Sequence, residues 1–459
     1  MAIKTDQISV DTLADRVLTE IKSFGITKWD LYIYDEQVNG IHFRKIEPAL
    51  EYESHNLKYF IRVFKEIDEK SMGIGNVELN ATNSEEIRKA IQRAIKIANS
   101  HISPRYELVS PRSDLEYPNL KNIDDVVWKN PKAFLNEKSQ ELKKLLREIM
   151  RAETTFGKFR VYKTLKMLVN CNNFRKTKKS THFYYEFAFR SVSPSSEKMA
   201  EYWTSGNVKL VNQLKFRDLI PEWSTMAQDS LRATFPKYEQ SIDVLFTPKL
   251  VRIALLETVG QVVTGIAQFT HTTPFKIGNK VADENFTLID DGLIEGGLHS
   301  SPWDSEGFPK QRNIIIENGI MKKFLYDQNF ATLMNKKSTG NAQRYPHKGG
   351  MMEIEINNLI VEPGTHSLKD IVNSSKKMLY VNKFSWLRPN PITGDFGATI
   401  LNGYIIEDGK IGRPIRGGTL SGNVYQMLHN IDAISKERRI VENAWVPFIK
   451  FKDLYLTAE

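Results

Sequence analysis

Residues 242–261 read IDVLFTPKLVRIALLETVGQ and combine two different patterns in one short segment. The run from Ile242 to Phe246 is short, apolar and bounded, which is typical of a buried strand. Thr247 then suits a helix N-cap, and Pro248 suits a first helical turn. The segment therefore predicts a strand followed by a helix that runs to about Gly265 and opens a new structural unit.

The sequence on either side of this segment predicts an α+β chain. Downstream, short apolar runs are separated by turn tripeptides at residues 317–319, 362–364 and 407–409, a pattern of β-hairpins. Upstream, two helical stripes flank strand-like runs, and prolines accumulate between residues 101 and 133. We predict three units: a mixed α/β domain (1–115), a central helix and β-hairpin domain (116–238), and a β-rich C-terminal domain (239–459) that carries the helix.

The composition is that of a folded globular protein. Of 459 residues, 41% are hydrophobic and 26% are charged, with a net charge of +9. The single cysteine, Cys171, excludes an internal disulfide and a cysteine-rich zinc module. We find neither an apolar signal segment nor a membrane-spanning length, so we predict a cytoplasmic protein without membrane contact.

The densest basic run comprises Arg175, Lys176, Lys178 and Lys179. Such a run can contact phosphate, but a solvated hairpin tip is the interpretation we favour. Nucleic acid binding therefore stays a minority alternative.

Glu257 is the only charged residue between Leu255 and Gln261. A carboxylate in so apolar a stretch costs free energy unless it has a partner or reaches water. It is either part of a functional site or a helix residue that points out of the core, and composition leaves both open.

This segment resembles the motif helix of the TldD/PmbA family, whose zinc peptidases carry His-Glu-x-x-x-His. Glu257, Val259 and Gly260 match in register, whereas Leu256 and Gln261 replace the two histidines. Leucine has no lone pair for a metal, and a neutral amide is a poor zinc ligand. The family's third ligand is a cysteine near the C-terminus, and residues 441–448 contain none. The resemblance implies the TldE/PmbA-like branch, with a vestigial motif at Leu256, Glu257, Gly260 and Gln261, no metal and no other cofactor.

Further segments of the C-terminal domain are similar to family signatures and occur in the family's order. They are Trp303–Pro309, Ile314–Gly319, Ser338–Ala342 with Arg344, Asn390–Phe396, Gly403–Gly409 and Ser421–Asn423. Small loops with hydroxyl, amide and carboxylate groups can hold an extended peptide by main-chain hydrogen bonds. The resulting candidates for a peptide cleft are Asp304, Glu306, Gly307, Thr339, Gly340, Asn341, Arg344, Thr393, Gly394 and Asp395.

Each of these candidates can also be explained without a functional role. Each glycine alone is better explained by a β-turn. Asp304 and Glu306 could act as an acid and a base, but carboxylates two residues apart in a turn are usually solvated, so we expect them in water.

The leading functional prediction is a non-catalytic subunit, a pseudoenzyme that pairs with a TldD-like zinc peptidase and helps to enclose unfolded peptide. A homodimer is the alternative assembly for the chain alone. Two other functions stay open: a peptidase or hydrolase with a different centre, perhaps using Glu257 as a base, and a modulator of nucleic acid or DNA gyrase.

Overall fold

The computed structural model describes residues 8–111, 115–149, 152–194, 197–237 and 239–458. It contains two large β-sheets with helices packed against them, so the predicted α+β class is confirmed. The second predicted domain break, at residue 238, lies outside the described residues.

The first sheet is antiparallel, has seven strands in the order β4-β3-β2-β1-β5-β6-β7, and spans both sides of the predicted break near residue 115. Its strands are β1 (Lys28–Arg44), β2 (Glu47–Glu66), β3 (Ser71–Leu79), β4 (Ile102–Pro104), β5 (Glu153–Asn170), β6 (Arg175–Val192) and β7 (Met199–Val208). The long strand β1 pairs with β2 on one side and β5 on the other, with Asp30 opposite Asn170. The two predicted N-terminal units therefore share one sheet.

Helices cover one face of this sheet. They are α1 (Val10–Ser23), α2 (Ser84–Ala98), α3 (Asp125–Lys129), α4 (Pro131–Arg147) and α5 (Phe216–Arg232). Asn83 caps α2, as its position three residues before Glu86 predicts, and its Oδ1 accepts from the Glu86 N–H at 2.9 Å. Leu31, Ile33 and Ile41 of β1 pack in the two cores under the helices, whereas Tyr32 and Tyr34 belong to a cluster with Trp303. Because strand side chains alternate between faces, the even-numbered face of β1 meets the C-terminal domain.

The second sheet forms the C-terminal domain. Its strands, with a separate two-stranded hairpin, are β8 (Gln240–Phe246), β9 (Leu288–Asp291), β10 (Arg312–Glu317), β11 (Ile320–Met321), β12 (Ala342–Tyr345), β13 (Met351–Ile354), β14 (Leu359–Val361), β15 (Lys377–Phe384), β16 (Asp395–Glu407), β17 (Lys410–Ile415), β18 (Thr419–Asn423), β19 (Ile431–Val441) and β20 (Ala444–Thr457). Strand β8 pairs with β15 and also with β20, which closes β8, β15, β16, β18 and β20 into a ring. The hairpin consists of β12 and β13.

The remaining helices are α6 (Pro248–Glu257), α7 (Val259–Val262), α8 (Gly265–Phe269), α9 (Gln328–Leu333), α10 (Leu368–Asn373) and α11 (Val424–His429). The prediction of one helix reaching Gly265 is wrong, because the helix stops at Glu257. Thr258 has φ −119° and ψ −78°, and its Oγ1 donates to the Ala254 carbonyl at 2.6 Å. Such a hydroxyl bond to the preceding turn bends helices. The break places Glu257 and Gln261 on two separate helices.

Candidate functional site

A cleft of about 710 Å³ opens beside the break between α6 and α7. Leu256, Glu257, Gly260 and Gln261 all line it, so the four motif residues share one cavity. Asn207 of β7 also lines it, which means that the N-terminal sheet and the C-terminal domain both contribute to its wall. The motif segment, located from sequence alone, therefore borders an open site.

The rest of the wall comes from segments that are distant in sequence. They are Arg252, Thr264, Ile266, Leu298, His299, Asp327, Phe330, residues 351–356, Glu442 and Asn443. Sequence reasoning missed these residues, since only the fold brings them together.

The donor set at the motif does not fit zinc. A catalytic zinc site needs three protein ligands, usually imidazole, thiolate or carboxylate. Here Leu256 offers no donor and Gln261 offers a neutral amide, which leaves Glu257 as the one strong ligand type among the motif residues. Across the part of the chain that the structure describes, no group of three His, Cys, Asp or Glu side chains could hold a metal ion.

The two basic residues of the described cleft wall, Arg252 and His299, present no unpaired positive charge. Arg252 forms a salt bridge with Glu442 at 2.6 Å, and its Nη2 donates to Asn443 Oδ1 at 2.9 Å. Burial, followed by the charge of Lys310, lowers the pKa of His299 to about 3. The imidazole is therefore neutral at physiological pH.

Asp304 and Glu306 lie in the folded interior. The expectation that they are solvated is wrong: Asp304 is 1% exposed and Glu306 is 6% exposed. The N-terminal sheet covers their loop, since a Cβ at Gly307 would meet Val109 and Leu168 within 3.0 Å. Burial of this kind requires that their oxygens be satisfied inside the protein.

Backbone N–H groups satisfy these two carboxylates. Asp304 Oδ1 accepts from the N–H of Glu306 at 2.9 Å and of Phe308 at 3.0 Å. Glu306 Oε2 accepts from the Gln328 N–H at 2.8 Å, next to the cleft residue Asp327. The two side chains therefore hold the loop and α9 in place behind the cleft wall.

The carboxyl groups of this cluster have raised pKa values. Burial first, and the neighbouring carboxylate Glu306 second, raise the pKa of Asp304 to about 7. Burial and then Asp327 raise the pKa of Glu306 to about 7, and burial raises that of Asp327 to about 6. The folded pKa of each group lies above its unfolded pKa, so protonation of these carboxyl groups favours the folded state. This contribution to stability is complete below the unfolded pKa and is lost as pH rises through the folded pKa.

We expect Glu306→Gln to become more stable relative to the native chain as pH rises from 5 to 8. The amide mimics the protonated acid, keeps an oxygen for Gln328, and avoids the buried charge that the native chain acquires above about pH 7. The change in relative unfolding free energy is on the order of 1–3 kcal/mol. Denaturant unfolding at each pH measures it.

The quantity to compare across pH is the difference in unfolding free energy between Glu306→Gln and the native chain. His182 and His299, whose pKa values are lowered to about 3, titrate in the opposite sense in both proteins, and their contributions cancel. The half-exposed Glu317, paired with Lys322 at 3.1 Å, provides the control Glu317→Gln. Equal pH dependence of the two variants would contradict the role of burial at Glu306.

Thr339, Gly340 and Asn341 belong to a second buried network, centred on Asp290. Asn341 Nδ2 donates to Asp290 Oδ2 and to the Glu355 carbonyl, both at 2.7 Å. The Asn357 N–H donates to Asp290 Oδ1 at 2.6 Å. Asp290 was missed in the sequence, where its only signal is a place between an apolar run and Gly292. The network fixes the loop that precedes the β12–β13 hairpin.

Arg344 connects the C-terminal domain to the N-terminal sheet. Its side chain is fully buried, and its Nη2 lies 3.4 Å from Asp30 Oδ1 of β1. Arg62 of β2 pairs with the same carboxylate, its Nε donating to Asp30 Oδ2 at 2.9 Å. This buried trio spans the contact between the two sheets.

Thr393, Gly394 and Asp395 lie next to α11, with Thr393 and Asp395 exposed and Gly394 buried. Gly394 has φ +83°, a conformation that favours glycine, and its N–H donates to the Asn390 carbonyl at 2.8 Å, which closes a five-residue turn. Asp395 Oδ1 accepts from Asn423 Nδ2 at 2.7 Å, and Asn423 caps α11. Among the described residues that line the cleft, none of the ten predicted peptide-cleft candidates is present.

The basic run at the start of β6 is engaged within the chain. Arg175 pairs with Asp11 at 3.0 Å and with Asp15 at 2.7 Å. Lys176 and Lys179 lie over the rings of Tyr117 and Trp128. Arg175 and Lys179 remain exposed, so these contacts are those of a surface hairpin.

A family model described as the PmbA/TldA metallopeptidase C-terminal domain matches residues 239–458. Residues 239–458 therefore belong to the TldD/PmbA family. The metalloprotease TldD homolog of Buchnera aphidicola (subspecies Schizaphis graminum) is 31% identical over 56% of this chain and 50% of that protein. A metalloprotease of Archaeoglobus fulgidus is 30% identical over 34% of this chain and 36% of that protein. The chain spans about half the length of the curated relatives it matches.

Solved structures share the whole fold. TldE from Thermococcus kodakarensis has a TM-score of 0.83 and 22% identity, covering 96% of this chain and 100% of that one. A putative modulator of DNA gyrase from Thermotoga maritima has a TM-score of 0.83 and 16% identity, covering 98% and 100%. At these identities the likeness shows the fold alone. Within the described residues, no helix combines the length and apolarity needed to cross a membrane.

Proposed function

We propose that this chain is a metal-free subunit that pairs with a zinc peptidase of the TldD/PmbA family and binds unstructured peptide in the 710 Å³ cleft. The observation that carries the proposal is the cleft itself: it is open beside the motif segment, while Leu256 and Gln261 stand at the two ligand positions. A site that keeps its cavity without its ligands suits binding rather than hydrolysis.

The chemistry of the residues that line the cleft suits a peptide ligand. Leu256, Ile266, Phe330 and Ile354 supply apolar surface, and Asn443 supplies an amide. The edge of β13 lines the same cavity, and exposed strand edges bind extended peptides by main-chain hydrogen bonds.

Gly260→Leu tests peptide binding in the cleft. A Cβ at Gly260 would lie 3.2 Å from Ile356 Cδ1, which also lines the cleft, so a leucine at this position narrows it. We expect the variant to bind a fluorescent unstructured peptide at least about tenfold more weakly in an anisotropy titration. The control is Gly397→Leu on an exposed strand, where the nearest side-chain atom is 3.6 Å away. Equal affinities of both variants would exclude the cleft.

Assembly is tested separately by sedimentation velocity. We expect the chain to form a complex with a zinc-bearing TldD-like family member, and the Gly260→Leu variant to retain it. A strict monomer, both alone and in the mixture, would contradict pairing and the alternative homodimer.

A second candidate function is hydrolysis by a different centre. The observation that favours it is Asp327, whose carboxyl lines the cleft and has a pKa raised to about 6 by burial. A carboxyl that titrates near neutral pH suits general acid or base work. Loss of a peptidase activity in Asp327→Asn, without loss of fold, would support it.

A further inference from the structure

One row of directly paired residues crosses the N-terminal sheet and ends at the cleft. The row consists of Tyr52 of β2, Gly40 of β1, Arg160 of β5, Tyr184 of β6 and Asn207 of β7. Because residues directly opposite one another in antiparallel strands share a face, the whole row lies on one side of the sheet. Asn207 lines the cleft. The row therefore leads from the cleft across the face of the sheet that the helices leave uncovered.

Gly40 allows Tyr52 to lie across β1 towards Arg160. A Cβ at Gly40 would be 2.6 Å from the Tyr52 hydroxyl, so a larger residue would displace the ring. In the observed position the centre of the Tyr52 ring is 5.8 Å from Arg160 Cζ. The centre of the Tyr184 ring, on the neighbouring strand, is 5.4 Å from the same atom. Two tyrosines thus flank the guanidinium, and contacts of this kind with aromatic faces hold arginine side chains in place.

The charge of Arg160 has no carboxylate partner. Within the described residues Arg160 forms no ion pair, and its Nη1 donates to the Tyr162 hydroxyl at 3.3 Å. Glu186, which belongs to the adjacent row, accepts from Lys158 Nζ at 2.8 Å and from the Tyr184 hydroxyl at 2.7 Å. Its carboxylate is therefore engaged by other groups, and the partly exposed Arg160 keeps its positive charge unpaired.

Polar atoms around this guanidinium are also unsatisfied. Arg160 Nε and His42 Nε2 are buried and have no hydrogen-bond partner within the described residues. The His42 ring lies 5.3 Å from the Tyr52 ring, so both atoms belong to one neighbourhood. Buried polar groups in proteins are almost always hydrogen-bonded, and unsatisfied ones gathered at one place call for an explanation such as a bound ligand. With the unpaired charge, they point to a ligand that offers oxygen acceptors.

We propose that Arg160, held between Tyr52 and Tyr184, is a subsite for an acidic side chain of the peptide bound in the cleft. This assignment rests on the proposed peptide-binding function. A guanidinium recognises a carboxylate through two parallel hydrogen bonds, which makes arginine the residue suited to this task. Neighbouring strands are about 4.8 Å apart, so Arg160, two strands from Asn207, lies about 10 Å from the cleft wall. An extended peptide covers that distance with about three residues.

The test compares two unstructured peptides that differ by a single replacement of glutamate by glutamine. Both carry a C-terminal amide, so the glutamate side chain is the one carboxylate between them. We expect the full native chain to bind the glutamate peptide about tenfold more tightly in an anisotropy titration at low salt. Arg160→Gln should abolish the preference, so that both peptides bind equally. Arg160→Glu should reverse it, because like charges then repel at the subsite.

Arg190→Gln is the matched control. Arg190 lies on β6 of the same sheet, is 40% exposed and pairs with Glu201 at 3.9 Å, so this variant removes the same charge without touching the subsite. The preference for the glutamate peptide should persist. Its loss in both Arg190→Gln and Arg160→Gln would trace it to the overall charge of the sheet and overturn the subsite. A preference that survives in Arg160→Gln would overturn it as well.

A failure of the proposed function gives a different pattern. Equal binding of both peptides by the native chain would leave the cleft in place and overturn the subsite. If neither peptide binds, the peptide cleft is wrong, and the subsite is judged by the thermal unfolding of the chain with N-acetylglutamate amide. Stabilisation of the native chain but not of Arg160→Gln would sustain a carboxylate site, and stabilisation of neither would overturn it.

Discussion

Asp30→Ala is expected to lower the free energy of unfolding by about 3–5 kcal/mol, the cost of breaking a buried ion pair by removing one partner. Asp30 is 2% exposed and is shared by two guanidinium groups, those of Arg62 and Arg344. Burial opposes its charge, but Arg62 and Arg344 hold the pKa of Asp30 below its ordinary value. Without the carboxylate, both buried cations lose this counterion.

The effect of Asp30→Ala is measured by denaturant unfolding at pH 7. Its control is Asp35→Ala on the same strand, because the Asp35 side chain is 22% exposed and pairs with the 32% exposed His55. Exposed pairs contribute about 0–1 kcal/mol. Similar losses in the two variants would show that the trio at the domain contact is no more important than a surface pair.

Local structure was largely predictable from sequence, because it depends on local patterns. The helical stripe of α2 and its cap Asn83 follow from spacing alone. The order of the strands in the sheets does not follow from spacing. Asp30 meets Asn170 across β1 and β5, and periodicity carries no information on which distant strand is the neighbour. The single sheet shared by the first two predicted units was therefore not visible in the sequence.

The residues of the candidate site were likewise only partly predictable from the sequence. The motif residues Leu256 and Gln261 were found through the resemblance to the TldD/PmbA family, whose motif lies in one continuous segment. Asn207, His299 and Glu442 join them only through the fold.

The purified chain alone is expected to hydrolyse no unstructured peptide at a detectable rate, and cleavage should begin when a TldD-like family member with an intact His-Glu-x-x-x-His is added. A metal ion polarises the scissile carbonyl and lowers the pKa of its bound water, which contributes several kcal/mol to transition-state stabilisation. Leu256 and Gln261 cannot hold that ion, and Glu257 would have to activate bulk water unaided. The measurement is cleavage of a quenched fluorescent peptide by the chain, the family member and their mixture.

Leu256→His combined with Gln261→His tests whether the missing ligands are the reason. Both positions line the cleft on either side of Glu257, so two imidazoles there would face the same cavity. We expect the double variant to gain a measurable zinc affinity by calorimetry that the native chain and either single variant lack, because single imidazoles bind zinc weakly. Leu256→Ala combined with Gln261→Ala is the matched control.

Stoichiometric zinc retained by the native chain after dialysis would contradict the metal-free assignment. Cleavage by the chain alone that survives chelation and disappears in Glu257→Gln would instead make Glu257 a catalytic base, because a subunit that only binds peptide has no step for that carboxylate to perform.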